Sequence, residues 1–391
     1  MTLRSSKQLA FLRQSEIRNM TLECSKLSGI NLSQGVCDTE LPEPVRLGAA
    51  AAMLEGTNSY TRYDGLTTLR EAIAQKILRD TGASVDPETE IVVTSGATGA
   101  FYAACLGLFD AGDEVVLFEP YYGYHVDTLR ALSVKPRLVP LELRDWSFSA
   151  EALRRAINTK TRAIVVNTPG NPSGKVFTRA ELELIAELAR EFDLYVITDE
   201  IYEYFLYDGR AHVSFATLPG MRERTLTLGG FSKTFSITGW RIGYLTATKE
   251  LCHQIGQVHD LVYVCAPAPL QIGVARGLER LPPSFYEDLR LEYARKREKL
   301  CASLERAGIT PHVPQGAYYV LADSRNLPGA SAKERALALL RLCGVAAVPG
   351  SAFFEGGRGD DLLRFSYAKR EAELDEACRR LDALPLVRRT P

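Results

Sequence analysis

Two short apolar runs, Ala163-Ile-Val-Val166 and Leu194-Tyr-Val-Ile-Thr198, enclose the amphipathic stretch Arg179-Ala-Glu-Leu-Glu-Leu-Ile-Ala-Glu-Leu-Ala-Arg190. Branched apolar runs of this length predict strands, and the spacing of leucine and isoleucine in the longer stretch predicts a helix. Because the two strands carry almost no polar residue, both of their faces must be covered. This pattern favours a largely parallel sheet between layers of helices, and hence an α/β fold.

The same alternation of strand and helix continues on both sides of this unit. Further strands are predicted at Ile91–Thr94, Glu114–Phe118 and Thr225–Leu228. In such a sheet the ligand crevice lies beyond the carboxyl ends of the strands, so we expect the chemistry there.

Three parts of the chain are predicted from changes in this pattern. Residues 1–45 are too few for a domain, and we expect them to pack as an arm on the C-terminal part. Residues 46–275 form the predicted large domain, and residues 276–391 form a smaller α+β domain that contains the charged helix Pro283–Ala307. The length of 391 residues fits two domains.

Composition excludes several classes of protein. The formal charge is −1 and basic residues are interspersed with acids, so neither nucleic acid nor a membrane is an expected partner. Eight scattered cysteines without a CxxC pair predict reduced thiols, and five histidines without ligand spacing predict no metal site. The opening residues lack the apolar stretch of a signal peptide, and no apolar run approaches a spanning helix. We therefore expect a cytoplasmic protein.

Two segments at strand ends are candidates for ligand binding, and the first of them suggests an anion site. Thr94-Ser-Gly-Ala-Thr-Gly99 leads into a predicted helix at Ala100–Leu108, which places free backbone N–H groups at residues 96–98. Taken alone, these glycines are better explained by a tight strand-to-helix turn. Asn167-Thr-Pro-Gly-Asn-Pro-Ser-Gly-Lys175 is one residue too short for a Walker loop, and Val176 stands where that loop needs Ser or Thr. Its asparagines could instead face a ligand.

Two further segments place ionisable side chains at strand ends. Asp199 follows a predicted strand in Thr198-Asp-Glu-Ile-Tyr202, where a capping role is the simple alternative. Lys233 lies in the turn Leu228-Gly-Gly-Phe-Ser-Lys-Thr-Phe-Ser-Ile-Thr-Gly-Trp-Arg241. A lysine held against apolar residues can serve as a nucleophile, whereas a lone lysine is more often a surface residue.

In order and spacing, these four segments resemble the class I/II aminotransferases, which are pyridoxal-phosphate-dependent enzymes of fold type I. The resemblance runs from Asn31-Leu-Ser-Gln-Gly35 to Arg364-Phe-Ser-Tyr-Ala368, and its most specific part is Phe231–Arg241. It implies an enzyme that moves an amino group between an α-amino acid and a 2-oxo acid by a ping-pong reaction. It also implies a large domain with a mostly parallel central sheet and a smaller α+β domain.

The resemblance assigns roles to individual residues. Lys233 is implied to form the Schiff base with pyridoxal 5'-phosphate and then to move the α-proton, while Asp199 lies beside the ring nitrogen. Tyr202 and Asn171 are implied to hydrogen-bond the 3'-oxygen, and Tyr122 to stack on the ring. The residues implied to hold the phosphate are Gly96, Ala97, Thr98, Ser232 and Arg241. Gly230 departs from the family, which often has Ser at this position.

The substrate carboxylate is implied to bind Arg364, assisted by Gly35 and Asn171. Tyr60 matches a tyrosine that reaches the phosphate of the neighbouring subunit, which predicts a homodimer with shared active sites; a loop aromatic is the alternative. We assign no role to four other residues near the motifs, His125, His259, Cys265 and Trp240.

The substrate class is expected from the segment Gln257–Pro269, which contains no arginine or lysine. It resembles the kynurenine/glutamine transaminase branch, so we expect uncharged or aromatic side chains rather than aspartate. Arg62, beside Tyr60, could supply a cation from the partner loop. A β- or γ-lyase remains an alternative, as does a non-catalytic regulatory domain. The latter is disfavoured by the presence of Lys233 and by the lack of a helix-turn-helix pattern before residue 31.

Overall fold

The computed structural model describes Ser6 and residues 14–384. The outer parts of the predicted arm and C-terminal domain, residues 1–5, 7–13 and 385–391, lie outside the described residues. The helices are α1 (Glu16–Lys26), α2 (Glu43–Leu54), α3 (Thr67–Thr81), α4 (Gly96–Leu108), α5 (Gly123–Ala131), α6 (Ala150–Ala156), α7 (Arg179–Glu191), α8 (Lys249–Tyr263), α9 (Ala268–Arg280), α10 (Pro283–Arg306), α11 (Ala332–Cys343) and α12 (Glu371–Asp382). The strands are β1 (Ile30–Asn31), β2 (Ile91–Ser95), β3 (Glu114–Glu119), β4 (Lys135–Pro140), β5 (Thr161–Asn167), β6 (Tyr195–Asp199), β7 (Thr225–Gly230), β8 (Ile242–Thr246), β9 (Thr310–His312), β10 (Tyr319–Asp323), β11 (Val345–Ala346), β12 (Val348–Pro349) and β13 (Leu362–Ser366).

Seven strands form the central sheet in the order β2-β8-β7-β6-β5-β3-β4. Strand β8 runs antiparallel to β2 and β7, and the other neighbouring strands pair in parallel. Strands β3, β7 and β8 are buried along their whole length, and apolar clusters fill the space on both sides of the sheet. The predicted, mostly parallel sheet between helices is therefore confirmed.

Strands β4 and β8 complete the sheet although the sequence patterns did not indicate them. Strand β4 occupies an edge, where the prolines of its sequence are tolerated because fewer N–H groups must pair. In β8, a Cβ at Gly243 would lie 2.6 Å from the backbone N of Ala97, so only glycine lets this strand approach the start of α4 so closely.

A second unit lies after α9. An antiparallel sheet in the order β12-β13-β10-β9 packs with α10, α11 and α12. The N-terminal segment joins this unit, because β1 pairs in parallel with β11 and Met20 and Cys24 of α1 are buried in its core. The boundaries at residues 45 and 275 stay predictions. None of the described helices combines the length and apolar character needed to cross a membrane.

Candidate active site

A cavity of about 460 Å³ opens at the carboxyl ends of β5 and β6 and at the start of α4. Its volume is typical of small-molecule sites. The predicted site residues that line it are Gly35, Ala97, Thr98, Tyr122, Asn171, Asp199, Tyr202, Ser232, Lys233, Arg241 and Arg364. Gly96 lies just behind this lining, and Tyr60 lies outside it, with 82% of its surface exposed.

One end of the cavity is suited to bind an anion. This anion seat consists of the start of α4 together with Thr98, Ser232 and Arg241. Helix α4 begins at Gly96, which has a φ of 70°, and the side chain of Ser95 caps none of its first N–H groups. A Cβ at Gly96 would collide with the guanidinium of Arg241, so the glycine brings that cation against the helix N-terminus. Ser232 and Thr98 add hydroxyl groups to the same lining. Free N–H groups, hydroxyls and a guanidinium together suit a phosphate.

A side chain at Gly230, where the family often has serine, would meet close neighbours. A Cβ there would lie 2.8 Å from Cδ1 of Ile201 and 3.2 Å from Cα of Gly243. This chain lacks the hydroxyl that the family often has here, and a serine at this position would require Ile201 to shift.

At the end of β6, Asp199 is buried and its carboxylate is engaged on both oxygens. His125 Nε2 lies 3.2 Å from Oδ2, and the backbone N–H of Ile201 donates to Oδ1 over 3.3 Å. The residues that follow form turns rather than a helix, so the helix-cap interpretation is wrong. The carboxylate instead lines the cavity floor with a fixed orientation.

Lys233 is half-buried and faces this cavity. Its Nζ donates a hydrogen bond of 3.4 Å to the carbonyl of Gly35 and lies 5.9 Å and 5.7 Å from the ring centroids of Tyr202 and Tyr318. Gly35 itself cannot carry a side chain, because a Cβ would collide with the hydroxyl of Tyr319. The amine is thus held by one carbonyl and two aromatic rings.

Tyr202 lines the cavity with a buried hydroxyl group. Burial raises the pKa of Tyr202 well above its ordinary value of 10.0, and the neighbouring Tyr319 hydroxyl, 3.1 Å away, adds to this effect. The hydroxyl therefore stays protonated at neutral pH and can donate a hydrogen bond to a ligand oxygen.

Arg364 is completely buried and aligned by two acceptors. Its Nη1 donates to Asn171 Oδ1 over 2.9 Å and its Nη2 to the carbonyl of Ser33 over 2.6 Å, and its guanidinium lies 4.3 Å from the ring centroid of Tyr319. Burial lowers the pKa of Arg364 from its ordinary value of 12.5. A buried guanidinium that pairs with no carboxylate of the described residues is suited to bind the carboxylate of a ligand.

Two histidines contribute to the site although no role was expected for them. His125 orients Asp199, as described above. Burial lowers the pKa of His259, so its ring is neutral and Nε2 accepts the backbone N–H of Ser95, 3.1 Å away, which fixes the turn before α4. Neither contact has a local sequence signal, because both pairs lie far apart in the chain.

The expectation drawn from Gln257–Pro269 stays a prediction, because residues of such a segment often reach the site of the partner subunit. No residue of Gln257–Pro269 lines the cavity within this chain, whereas Ile17 and Arg18 of α1 do. The cavity therefore contains a cation that the motifs did not reveal.

The lining fits pyridoxal phosphate rather than a metal ion. The anion seat, the carboxylate of Asp199 and the amine of Lys233 lie in one cavity, and Asn167 Oδ1 is buried in its wall without a hydrogen-bond partner. In the part of the chain that the structure describes, no group of three or more His, Cys, Asp or Glu residues could hold a metal.

Comparison with known proteins agrees with this chemistry. The family model for aminotransferases of class I and II matches residues 28–381. The fold and site define a pyridoxal-phosphate-dependent enzyme of fold type I, as the sequence motifs predicted. The chain belongs to the class I and II aminotransferases and uses pyridoxal phosphate as its cofactor.

Individual relatives span almost the whole chain. The probable N-succinyldiaminopimelate aminotransferase DapC of Mycobacterium tuberculosis is 37% identical over 93% of this chain and 94% of its own. The rat kynurenine–oxoglutarate transaminase 3 is 33% identical over 92% of this chain and 86% of its own. The solved structure of the M. tuberculosis N-succinyldiaminopimelate aminotransferase superimposes with a TM-score of 0.94 at 36% identity, covering 98% of this chain and all of the other.

Proposed function

We propose that Lys233 carries the aminotransferase reaction of this chain, moving an amino group between an α-amino acid and a 2-oxo acid. The observation that carries the proposal is that the Lys233 amine shares one cavity with the Asp199 carboxylate and the buried guanidinium of Arg364. When bound, pyridoxal phosphate supplies an electron sink for the negative charge that develops at the substrate Cα.

The anion seat holds the phosphate of the cofactor. The N–H groups of Gly96 and Ala97, the hydroxyls of Thr98 and Ser232 and the guanidinium of Arg241 serve as donors. Asp199, oriented by His125, keeps a proton on the ring nitrogen by its negative charge.

Two polar side chains would hold the 3'-oxygen of the cofactor ring. Tyr202 donates to the 3'-oxygen, and the amide N–H₂ of Asn171 can do the same because its oxygen is occupied by Arg364. Tyr122 stacks on the face of the ring.

Arg364 fixes the α-carboxylate of the substrate, assisted by Asn171 and the backbone at Gly35. This orientation would bring the Cα proton toward Lys233 Nζ, which would take it from Cα and pass it to C4' of the cofactor. Because Arg364 is buried and already aligned, little ordering is needed when the substrate binds.

For the substrate side chain we propose apolar or aromatic amino acids. Support comes from Ile17, Tyr122 and Tyr124, which line the cavity, and from the kynurenine named for one relative. A pocket lined by these residues favours substrate side chains that lose little hydration free energy when they leave water.

We also propose a homodimer in which Tyr60 serves the partner's site. Tyr60 and Leu261 are more than four-fifths exposed, and a Cβ at Gly99 of α4, next to the anion seat, would lie 3.5 Å from the ring of Tyr263. Large apolar side chains of this exposure indicate a surface that a second chain covers. Eight free cysteines, most of them buried, support a cytoplasmic location.

The test is to add single amino acids to the purified holoenzyme and to follow the absorbance of the cofactor. Transamination converts the cofactor to its amine form, and a 2-oxo acid then restores it. Overturning results are an unchanged cofactor with release of ammonia and a 2-oxo acid, which is elimination, or no response to any amino acid.

A further inference from the structure

The turn at residues 199–203 has two faces. Asp199 and Tyr202, which we assign to the cofactor ring, line the cavity. Glu200 and Glu203 each come one position later in the chain; they do not line the cavity, and both are at least nine-tenths buried. A buried carboxylate needs a cation or several hydrogen-bond donors close to it. The partners of these two acids therefore show how the back of the turn is held.

Lys76 of α3 is the partner of Glu203. Its Nζ donates a hydrogen bond to Oε2 of Glu203 and lies 3.3 Å from Oδ2 of Asp80, and only 2% of its surface is exposed. Burial alone would lower the pKa of Lys76, but the acids around it, Glu203 first, raise that pKa well above its ordinary value of 10.5. Lys76 therefore carries its charge inside the protein at neutral pH. Among the described residues no other cation lies within ion-pair distance of Glu203.

The pair ties the turn to the helices that cover the central sheet. Helix α3 packs against β2 and α9, and the N–H of Glu200 fixes the start of the turn by a 2.9 Å bond to the carbonyl of Leu228 in β7. The chain after the turn joins the second unit instead, because the N–H of Ala317 donates to the carbonyl of Phe205 over 2.9 Å. Lys76 thus links the second half of the turn to the layer of the central sheet.

Stability alone does not explain this buried pair. Moving two charges out of water costs free energy that their attraction often only balances, and an apolar pair of similar size is commonly as stable. An ion pair adds a fixed distance and direction between two elements, here α3 and the turn. Because Tyr202 directly precedes Glu203, a shift of Glu203 also moves the Tyr202 hydroxyl.

We infer that Lys76 is a positioning residue, which acts through Glu203 to hold the Tyr202 hydroxyl at the 3'-oxygen of the cofactor. The inference rests on the proposed function. Without the pair, the hydroxyl keeps its neighbour Tyr319 at 3.1 Å, but the backbone that carries it loses its anchor on α3. The hydrogen bond to the 3'-oxygen then becomes longer and less well aligned, and therefore weaker.

The test follows the absorbance of the holoenzyme as a function of pH. The midpoint of the absorbance change reports the pKa of the Schiff base, and a donor at the 3'-oxygen lowers this pKa because it draws negative charge away from the imine proton. Tyr202→Phe removes the donor and should raise the midpoint by about 1 to 2 pH units. Lys76→Met combined with Glu203→Gln removes both charges together and should raise the midpoint by about 0.5 to 1 unit. The same double variant should bind the cofactor about three- to tenfold more weakly in equilibrium dialysis.

The matched control is Lys296→Met combined with Glu292→Gln. Lys296 also pairs with a glutamate and is almost fully buried, but it lies on α10, outside the cavity. The midpoint should stay unchanged in this variant, while circular dichroism verifies that both double variants are folded. If the Lys76 double variant does not fold, Glu203→Asp takes its place. This substitution keeps both charges, shortens the acid by one methylene and should raise the midpoint in the same direction.

The inference is overturned if the folded Lys76 double variant, or Glu203→Asp in its place, keeps the midpoint of the unmodified enzyme. It is also overturned if the control pair shifts the midpoint equally, because the effect would then be general destabilisation. A shift in Tyr202→Phe without one in the Lys76 double variant defeats only the inference. No shift in Tyr202→Phe contradicts the role of Tyr202 in the proposed function, and the inference with it.

Discussion

His125 Nε2 lies 3.2 Å from Asp199 Oδ2, at the floor of the cavity. The two residues come from α5 and from the end of β6, so the packing of helix against sheet determines the direction of the carboxylate. His125 in turn packs edge-on against Tyr122, with ring centroids 5.2 Å apart. The His125 imidazole therefore holds two residues of the site. These are Asp199, which we assign to the ring nitrogen of the cofactor, and Tyr122, which we assign to the ring face.

Replacing His125 with Gln should slow the removal of the α-proton while the protein stays folded. The amide can donate one hydrogen bond but cannot reproduce the ring contacts with Tyr122, so the carboxylate loses its fixed direction. We expect a loss of about tenfold or more in the single-turnover rate, with little change in KM. His253→Gln, at an exposed site, serves as the control. An unaltered rate in the His125 variant would show that His125 does not position the Asp199 carboxylate.

Asp199→Ala should slow α-proton removal much more strongly than the His125 variant. Without the carboxylate the ring nitrogen loses its proton, and a neutral ring is a poorer electron sink. Exchange of the α-proton with deuterated solvent, followed by NMR, measures this step directly. Near-normal exchange would contradict the assignment of Asp199, provided that the variant keeps its cofactor.

Lys233→Ala should abolish turnover and the covalent attachment of the cofactor. No other lysine lines the cavity among the described residues, so no neighbouring amine can take its place. Reduction with borohydride followed by peptide mapping identifies the attachment point. Lys249→Ala at the exposed start of α8 is the control, and a labelled peptide that lacks residue 233 would refute the assignment.

Arg364→Lys should weaken the binding of all amino acids by a similar factor without changing their order. A lysine keeps the charge but not the paired N–H groups that the α-carboxylate engages. We expect kcat/KM to fall about ten- to hundredfold for phenylalanine and for glutamate alike. A selective loss for glutamate alone would contradict the assignment, because the α-carboxylate is common to both substrates.

The sequence motifs predicted the central sheet and most of the cavity, because their information is local. Strand β6 appears as a mostly apolar run that ends at Asp199. Strand β7 alternates threonine with leucine, and Lys233 follows it within three residues. Contacts between distant segments could not be predicted in this way. The pair of His125 with Asp199 depends on how α5 packs.

The N-terminal arm illustrates the same limit. Arg18 reaches the cavity only because β1 pairs with β11 and thereby sets the position of α1. An amphipathic helix pattern does not reveal which remote surface its exposed arginine will face. The prediction of the side-chain pocket from Gln257–Pro269 therefore included neither Ile17 nor Arg18, which line the cavity.

His212 and Glu200 form a buried pair that contributes to stability, with His212 Nε2 2.7 Å from Glu200 Oε2. Burial alone would lower the pKa of His212, but the Glu200 carboxylate outweighs it and raises that pKa above its ordinary value of 6.5. Burial likewise opposes ionisation of Glu200, yet His212 lowers the pKa of Glu200 below its ordinary value of 4.5.

The signs of the two shifts define the pH window of this stabilisation. The contribution of His212 is complete below pH 6.5 and is lost as the pH rises through its raised pKa. The contribution of Glu200 is present above pH 4.5 and is lost as the pH falls through its lowered pKa. Both contributions are therefore complete between these two values.

We expect His212→Gln to lower the free energy of unfolding by on the order of 1 kcal/mol near pH 6, and by clearly less near pH 9. Urea denaturation at both pH values measures the difference, with His253→Gln as an exposed control. If the destabilisation were the same at both pH values, the contact would act as a neutral hydrogen bond. A larger loss at pH 9 would show that the pKa of His212 is lowered, because the neutral ring would then be the form that the folded protein stabilises.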